Sequence, residues 1–283
     1  MKVSGFTFVR NARLYDFPVV ESIKSILPTV DEYIVNVGKS EDDTLNLVES
    51  IQDPKIKIIE NVWDEKKQKD GEIYREQTDI ALDACKGDWA FYLQADEVVH
   101  EQELPRINAL MNENLRQTEV LGFLFRYLHF YGDYWTLNPW FYHKEIRIIR
   151  NNGKIRSIGD ACGFYHTGES IIRNLKDRPT NRIIKTDCHI YHYGWVKNPQ
   201  TMLSKKIFQE SRYQGMDSEI VQKLSGQEEW KYNDFDIMKD FRGTHPAVMQ
   251  DRIANFRSIH SRPRKRWLNP RFYKEVFTHG YKG

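Results

Sequence analysis

No stretch of the chain approaches the eighteen apolar residues that a membrane-crossing helix needs, which excludes an integral helical membrane protein. Cysteine is scarce. Cys85, Cys162 and Cys188 are odd in number and form no Cys-x-x-Cys unit. That excludes a disulfide scaffold and fits buried thiols in a reducing compartment, so we expect a cytoplasmic protein. The N-terminus, MKVSGFTFVRNARLYDF, reads as a strand entering polar residues, not as a signal peptide. A surplus of one charge is also missing. With 42 Lys and Arg against 40 Asp and Glu, the net charge of +2 argues against a globally basic nucleic-acid binder. At 40% hydrophobic residues over 283 positions, the chain can bury a substantial core without staples.

The near-neutral total conceals an asymmetry. From Phe256 to Gly283 there are eight basic residues and one acid, Glu275. That tail therefore carries +7 and the rest of the chain −5. Aromatics are abundant at 13%, with seven Trp.

The first hundred residues alternate strand and helix patterns. Strands are expected at Val3 to Val9, Glu32 to Val37, Lys55 to Glu60 and Trp89 to Leu93. The first helix is expected from a cap at Asp16 with Pro18 early in the helix, ending before Pro28. A second opens at a capping box in Ser40-Glu41-Asp42-Asp43, and a third covers Glu72 to Cys85. Strands separated by single helices imply right-handed crossovers and a mainly parallel sheet flanked by helices, an α/β fold. A helix near Glu103 to Leu115 and aromatic strands at Val120 to Phe130 and Glu145 to Ile149 follow. No repeat or linker appears, and the last ninety residues read as helical, then irregular. We expect residues 1–197 to form the main domain and 198–283 a helical, basic extension packed on it.

Two segments carry candidate chemistry. In Gly87 to Glu97 an apolar strand delivers Asp96 and Glu97 to its C-terminal end, where open α/β sheets bind ligands. A carboxylate there suits Mg2+ or Mn2+, hard ions that share oxygen donors with phosphates; a solvated turn is the alternative. In Asp187 to Trp195, strand alternation places His189 and His192 on opposite faces, so only one of them can be a ligand.

Taken together and in order, these segments resemble a family 2 glycosyltransferase with the GT-A nucleotide-sugar fold, over about residues 3 to 197. Phe8-Val9-Arg10-Asn11 is similar to the family's first strand and its Lys/Arg-Asn turn. Ser40-Glu41-Asp42-Asp43-Thr44 resembles its Ser-x-Asp-x-Thr helix start, and Ala84 to Trp89 with Gln94-Ala95-Asp96-Glu97 resembles its Asp-x-Asp region. His192-Tyr193-Gly194 is similar to a segment of bacterial lipopolysaccharide-core transferases. Two positions depart from the pattern. Gln94 replaces the first acid, and Val37 aligns with the Asp that meets the nucleobase or ribose.

The resemblance implies a metal-dependent, inverting transfer of a sugar from a nucleotide-diphosphate donor to a glycan or lipid-linked acceptor. It implies Asp96 and His192 as ligands of Mn2+ or Mg2+, and Asn11, Gln77, Gln94 and Arg75 as donor contacts. Arg75 lies about 200° round the helix from Gln77. Asp160 is the candidate base, with Asp133 and Glu169 in reserve, and an ordinary turn aspartate is the competing account. The aromatic loop Tyr131 to His143 is either an acceptor platform or core. Phe241 to Pro246 is either a lid or a helix-ending turn. Arg262 to Trp267 is a candidate for peripheral contact with anionic lipid, against a plain solvated arm. A nucleotidyltransferase is the enzymatic alternative, although Arg10 to Leu14 has no glycine. A catalytically silent nucleotide- or glycan-binding protein is the other, favoured by Gln94 and Val37.

Overall fold

The computed structural model describes every residue except 68, 169–173, 178–181, 234, 258–265 and 280–283. The chain opens with β1 (Val3–Val9), α1 (Val19–Ile26), β2 (Glu32–Gly38), α2 (Thr44–Glu49), β3 (Ile56–Asn61), α3 (Glu72–Asp83) and β4 (Trp89–Tyr92). These strands lie parallel in the order β3-β2-β1-β4. Their side chains alternate between two cores. Val3, Val9, Val35 and Val37 pack against α1 and α2, while Phe6 and Ile34 pack against Ala81 and Leu82 of α3. Burial on both faces is what a parallel sheet covered by crossover helices requires.

Beyond β4 the sheet becomes antiparallel. After β5 (Glu97–Val99) and α4 (Leu104–Glu113) come β6 (Gly122–Tyr131), β7 (Thr136–Leu137) and β8 (Lys144–Arg150). β8 pairs antiparallel with both β4 and β6. A separate hairpin of β9 (Ile155–Ile158) and β10 (Gly163–His166) precedes β11 (Ile183–Trp195). β11 runs parallel to β6 and antiparallel to β5. β11 is the longest strand among the described residues, at thirteen residues. The C-terminal part holds α5 (Pro199–Gln214), α6 (Glu219–Ser225), β12 (Lys239–Asp240), α7 (Gln250–Asn255) and α8 (Pro270–His279).

Two expected helix starts are corrected. Asp16 does not cap α1. Its backbone sits at φ 50°, its carboxylate pairs with Arg252, and Pro18 occupies the cap position. α2 starts after Asp43, and it is Asp42 Oδ1 that accepts from the Thr44 amide at 3.0 Å. Ser40 instead receives the Asn11 amide and donates to Gly38 O. Among the described residues no helix is long and apolar enough to cross a membrane. All three cysteines are free, with Cys85 and Cys188 buried and Cys162 half-buried.

Candidate active site

The C-terminal ends of β1 and β4 open on a cavity of about 370 Å³. Phe8, Val9 and Arg10 form one side and Gln94, Ala95 and Asp96 the floor. His192 and Trp195 enter from β11, His129 from β6, and Phe141 and Tyr142 from the loop before β8. α5 crosses the opening with Met202, Lys205, Phe208, Gln209 and Tyr213.

Asp96 and His192 meet here, with His192 Nε2 3.7 Å from Asp96 Oδ1. Gly194 makes this meeting possible. A Cβ at that position would stand 2.5 Å from Asp96 Oδ2 and 2.8 Å from His192 ring atoms. Lys205 Nζ donates to Asp96 Oδ2 at 3.0 Å and to Gly194 O at 2.9 Å. Burial on its own raises the Asp96 carboxyl. The surrounding cations, Lys205 first, outweigh it and hold the group well below the usual carboxylate range. Burial lowers His192 to about 4 despite the adjoining Asp96, so its ring is neutral at pH 7.

Beneath the floor lies a fully buried ion pair. Arg147 Nε and Nη2 each donate to Glu97 at 2.7 Å, and Tyr127 Oη donates to Glu97 Oε1 at 2.7 Å. Glu97 Oε2 also accepts the Gln94 amide at 3.1 Å, which fixes the turn that presents Asp96. Arg147 Nη1 reaches Cys162 O at 3.1 Å, and Gln94 Nε2 reaches Ala161 O at 3.3 Å. The loop carrying Asp160 is thus tied to the same turn. Within that loop Gly159 and Ala161 both have left-handed backbones, at φ 63° and 64°. For alanine this is a strained conformation of the kind that gathers at functional sites. Asp160 faces the cavity and accepts a hydrogen bond from Tyr213 Oη on α5. Burial pushes the neighbouring Cys162 thiol up to about 12, so it is not a thiolate nucleophile.

The structure does not bring the other expected donor contacts to the cavity. Gln77 is buried away from it, its Oε1 taken by Asn36 Nδ2 at 3.0 Å and Asn61 Nδ2 at 2.7 Å. Side-chain amides of β2 and β3 thus use this α3 residue as a clamp between elements. Arg75, on the opposite side of α3, pairs with Glu72 in solvent. Asn11 is buried beside the cavity wall, its Oδ1 accepting the Glu41 amide at 2.8 Å, so it shapes the turn while Arg10 faces the opening. Val37 points into the core on the α1 side.

Of the reserve bases, Asp133 accepts the Trp135 amide at 2.9 Å within its turn, away from the cavity. Glu169 lies outside the described residues. The aromatic loop divides, because Phe141 and Tyr142 line the cavity while Tyr134 and Leu137 join the core. The Phe241 to Pro246 segment packs on that core as well, with His245 Nδ1 2.8 Å from Tyr193 Oη.

Sequence reasoning missed α5, His129, and the aromatic wall of Phe8, Trp63, Tyr74 and Phe208. The run after Pro199 reads only as part of a helical extension, and no local pattern sets its register onto the sheet.

Residues 18–174 match the family described as Glycosyl transferase family 2. The chain belongs to that family. It is a nucleotide-sugar-dependent glycosyltransferase with a GT-A fold, and the match is made at the level of the family as a whole. No curated protein sequence matches it. Among solved structures, S. aureus TarS aligns with a TM-score of 0.44 at 16% identity, covering 74% of this chain and 39% of that one. S. aureus TarS 1-349 in complex with UDP-GlcNAc aligns at 0.42 and 15%, covering 90% and 79%. Glucosyl-3-phosphoglycerate synthase from Mycobacterium tuberculosis, with Mn2+, UDP and glucosyl-3-phosphoglycerate, aligns at 0.41 and 15%, covering 77% and 81%. At these scores they bear on neither the donor nor the acceptor of this protein.

Proposed function

We propose that this glycosyltransferase is metal-dependent and inverting, and that it moves a sugar from a nucleotide-diphosphate donor to a glycan or lipid-linked acceptor. The carrying observation is the convergence of Asp96 and His192 on one cavity, made possible by Gly194. Among the described residues no group of three or more His, Cys, Asp or Glu gathers as a complete metal cage. One carboxylate oxygen and one neutral imidazole 3.7 Å apart nevertheless suit two adjacent positions on Mn2+ or Mg2+, with donor oxygens filling others. The residues therefore fit the ion. When bound, it would supply positive charge to the leaving diphosphate.

The chain's own groups do the rest. Lys205 adds a fixed cation at the same place, and Gln94 offers an amide where an acid would add charge. Asp160, held by Tyr213, is positioned to take the proton from an acceptor hydroxyl. Phe141, Tyr142 and Trp195 present apolar faces suited to sugar C–H surfaces. Because α5 supplies both Lys205 and Tyr213, residues from 198 onward are part of the working site as well as an extension packed on it.

The acceptor side includes a membrane-contact reading. The expected basic segment lies mostly outside the described residues, but α8 and the turn before it are described. They expose Trp267, Leu268, Tyr273 and Phe277 beside Arg271 and Lys274. An interfacial basic-aromatic helix of this kind suits an anionic lipid surface.

Thermal unfolding with UDP, GDP, CMP and dTDP, each with and without Mn2+, tests the main proposal. Ligand at about 100 times its dissociation constant adds roughly 2.7 kcal/mol, a shift of several degrees at about 2–4 °C per kcal/mol. A shift for one nucleotide that needs Mn2+ and vanishes in Asp96→Ala supports the reading. No shift with any nucleotide overturns it.

A further inference from the structure

We propose that His129 is a positioning residue that sets the tautomer of His192, so that His192 Nε2 offers a lone pair to the cavity beside Asp96. The two histidines are partners in register on the parallel strands β6 and β11. Their rings meet nitrogen to nitrogen, Nδ1 to Nδ1 at 3.1 Å, with planes 70° apart. On its far side His129 Nε2 lies 2.6 Å from Tyr142 O.

The proton placement follows from what each partner can do. A carbonyl oxygen only accepts, so His129 carries its proton on Nε2. A neutral imidazole has one N–H, which leaves His129 Nδ1 as an acceptor. The proton between the rings must then belong to His192 Nδ1. His192 has no second proton, and its Nε2 faces Asp96 Oδ1 bare. The reverse arrangement would press a lone pair of His129 against those of Tyr142 O at 2.6 Å, which is repulsive. Both rings are buried, which disfavours a cationic pair and outweighs the opposite pull of the Asp96 carboxylate on His192.

The chain from Tyr142 O through His129 to His192 is therefore a one-way relay that ends in a metal-ligating nitrogen. Partners of this kind orient ligating histidines and tune their affinity. The loop before β8, which also supplies Phe141 and Tyr142 to the cavity wall, thereby acts on the ligand face of a residue it does not adjoin in sequence. The proposal rests on the reading of His192 as an ion ligand only in its consequence, because the tautomers exist without the ion.

Long-range 15N–1H correlation on metal-free protein at pH 7.5 reads the tautomers directly, with His129→Asn and His192→Gln assigning the signals. The expected result is His129 protonated on Nε2 and His192 on Nδ1. A His192 ring protonated on Nε2 overturns the proposal. Mn2+ titration of His129→Asn and His129→Phe then reads the consequence. Asn keeps an acceptor oxygen at the Nδ1 position and should hold affinity within about threefold, whereas Phe should lose about 10- to 100-fold. Equal affinity in both variants, with both folded by circular dichroism, overturns the positioning role. Wild-type protein that binds no Mn2+ while showing the expected tautomers would defeat the metal reading of the site and leave the relay standing.

Discussion

Lys205 Nζ holds Asp96 Oδ2 at 3.0 Å, so the carboxylate expected to meet a divalent ion already has an ammonium of the protein's own as partner. The two side chains are about one-tenth exposed, and removing either strands the other. Lys205→Met should destabilise metal-free protein by about 3 kcal/mol, the lower part of the range for a broken buried pair. Mn2+ should restore more stability to the variant than to wild type, because a competing cation has gone. Thermal unfolding with and without Mn2+ checks this. Equal Mn2+ shifts in the two proteins would show that the ion does not reach Asp96.

The Glu97–Arg147 pair has no exposure at all and supports the turn from below. Arg147→Met leaves a buried carboxylate unpaired and should cost about 3–5 kcal/mol. Glu97→Leu combined with Arg147→Met removes both charges and should recover a large part of that loss. Urea unfolding of the single and double variants reads the difference. A double variant less stable than Arg147→Met by the full cost of a second lesion would mean that the two residues are not coupled.

Much of this arrangement was legible and some was not, for physical reasons. The βαβ rhythm of the first hundred residues follows from apolar periodicity, so β1, β2 and β4 fall within a residue or two of expectation. Strand alternation correctly separated His189, which turns to Glu103, from His192, which enters the cavity. Gln77 and Arg75 misled because position on a helix does not reveal which neighbours will claim a side chain. Asn36 and Asn61 come from strands over fifteen residues away in sequence and both claim the side-chain oxygen of Gln77. The same limit hid His129 and Lys205, whose roles depend on strand pairing and helix docking that no local pattern encodes.

Acid should weaken the fold through histidines that are buried in the neutral form. Burial first, with other charges beside it, lowers His129 to about 3 and both His192 and His245 to about 4. Unfolded histidine takes up its proton near pH 6.5. Between about pH 6.5 and 4 the unfolded chain therefore binds more protons than the native one, and stability falls as pH falls. Each ring contributes up to about 1.4 kcal/mol per pH unit in that window. Urea unfolding at pH 7.5, 6 and 5 should show a loss shared by more than one proton. A flat profile across that range would mean that these rings are accessible to water.

Phe277, at 88% exposure, is the most exposed of the large apolar residues described. Phe277→Glu should leave stability within about 0.5 kcal/mol, as exposed substitutions do. It should nevertheless abolish co-sedimentation with phosphatidylglycerol-containing vesicles, and wild-type binding should weaken with salt. Wild type that stays in the supernatant, or a variant that sediments as well as wild type, removes membrane contact through α8.

Asp160 carries the most specific chemical expectation. Its loop is strained at Ala161, pinned by Gln94 and Arg147, and its carboxylate is aimed by Tyr213 from a helix outside the family match. A turn aspartate with no function would not need three separate elements to place it. Asp160→Asn preserves shape and hydrogen-bonding capacity while removing the base. Turnover, read as nucleotide release from a nucleotide-sugar panel with acceptor present, should fall about 10²- to 10⁴-fold. Nucleotide affinity should hold, because a base beside the acceptor does not contact the diphosphate. Tyr213→Phe removes only the aiming hydrogen bond and should cost less than Asp160→Asn, with the loss in kcat and not in donor KM. Asp160→Asn with turnover within threefold of wild type would return Asp160 to the structural role of an ordinary turn and leave the base to be sought elsewhere on the cavity wall.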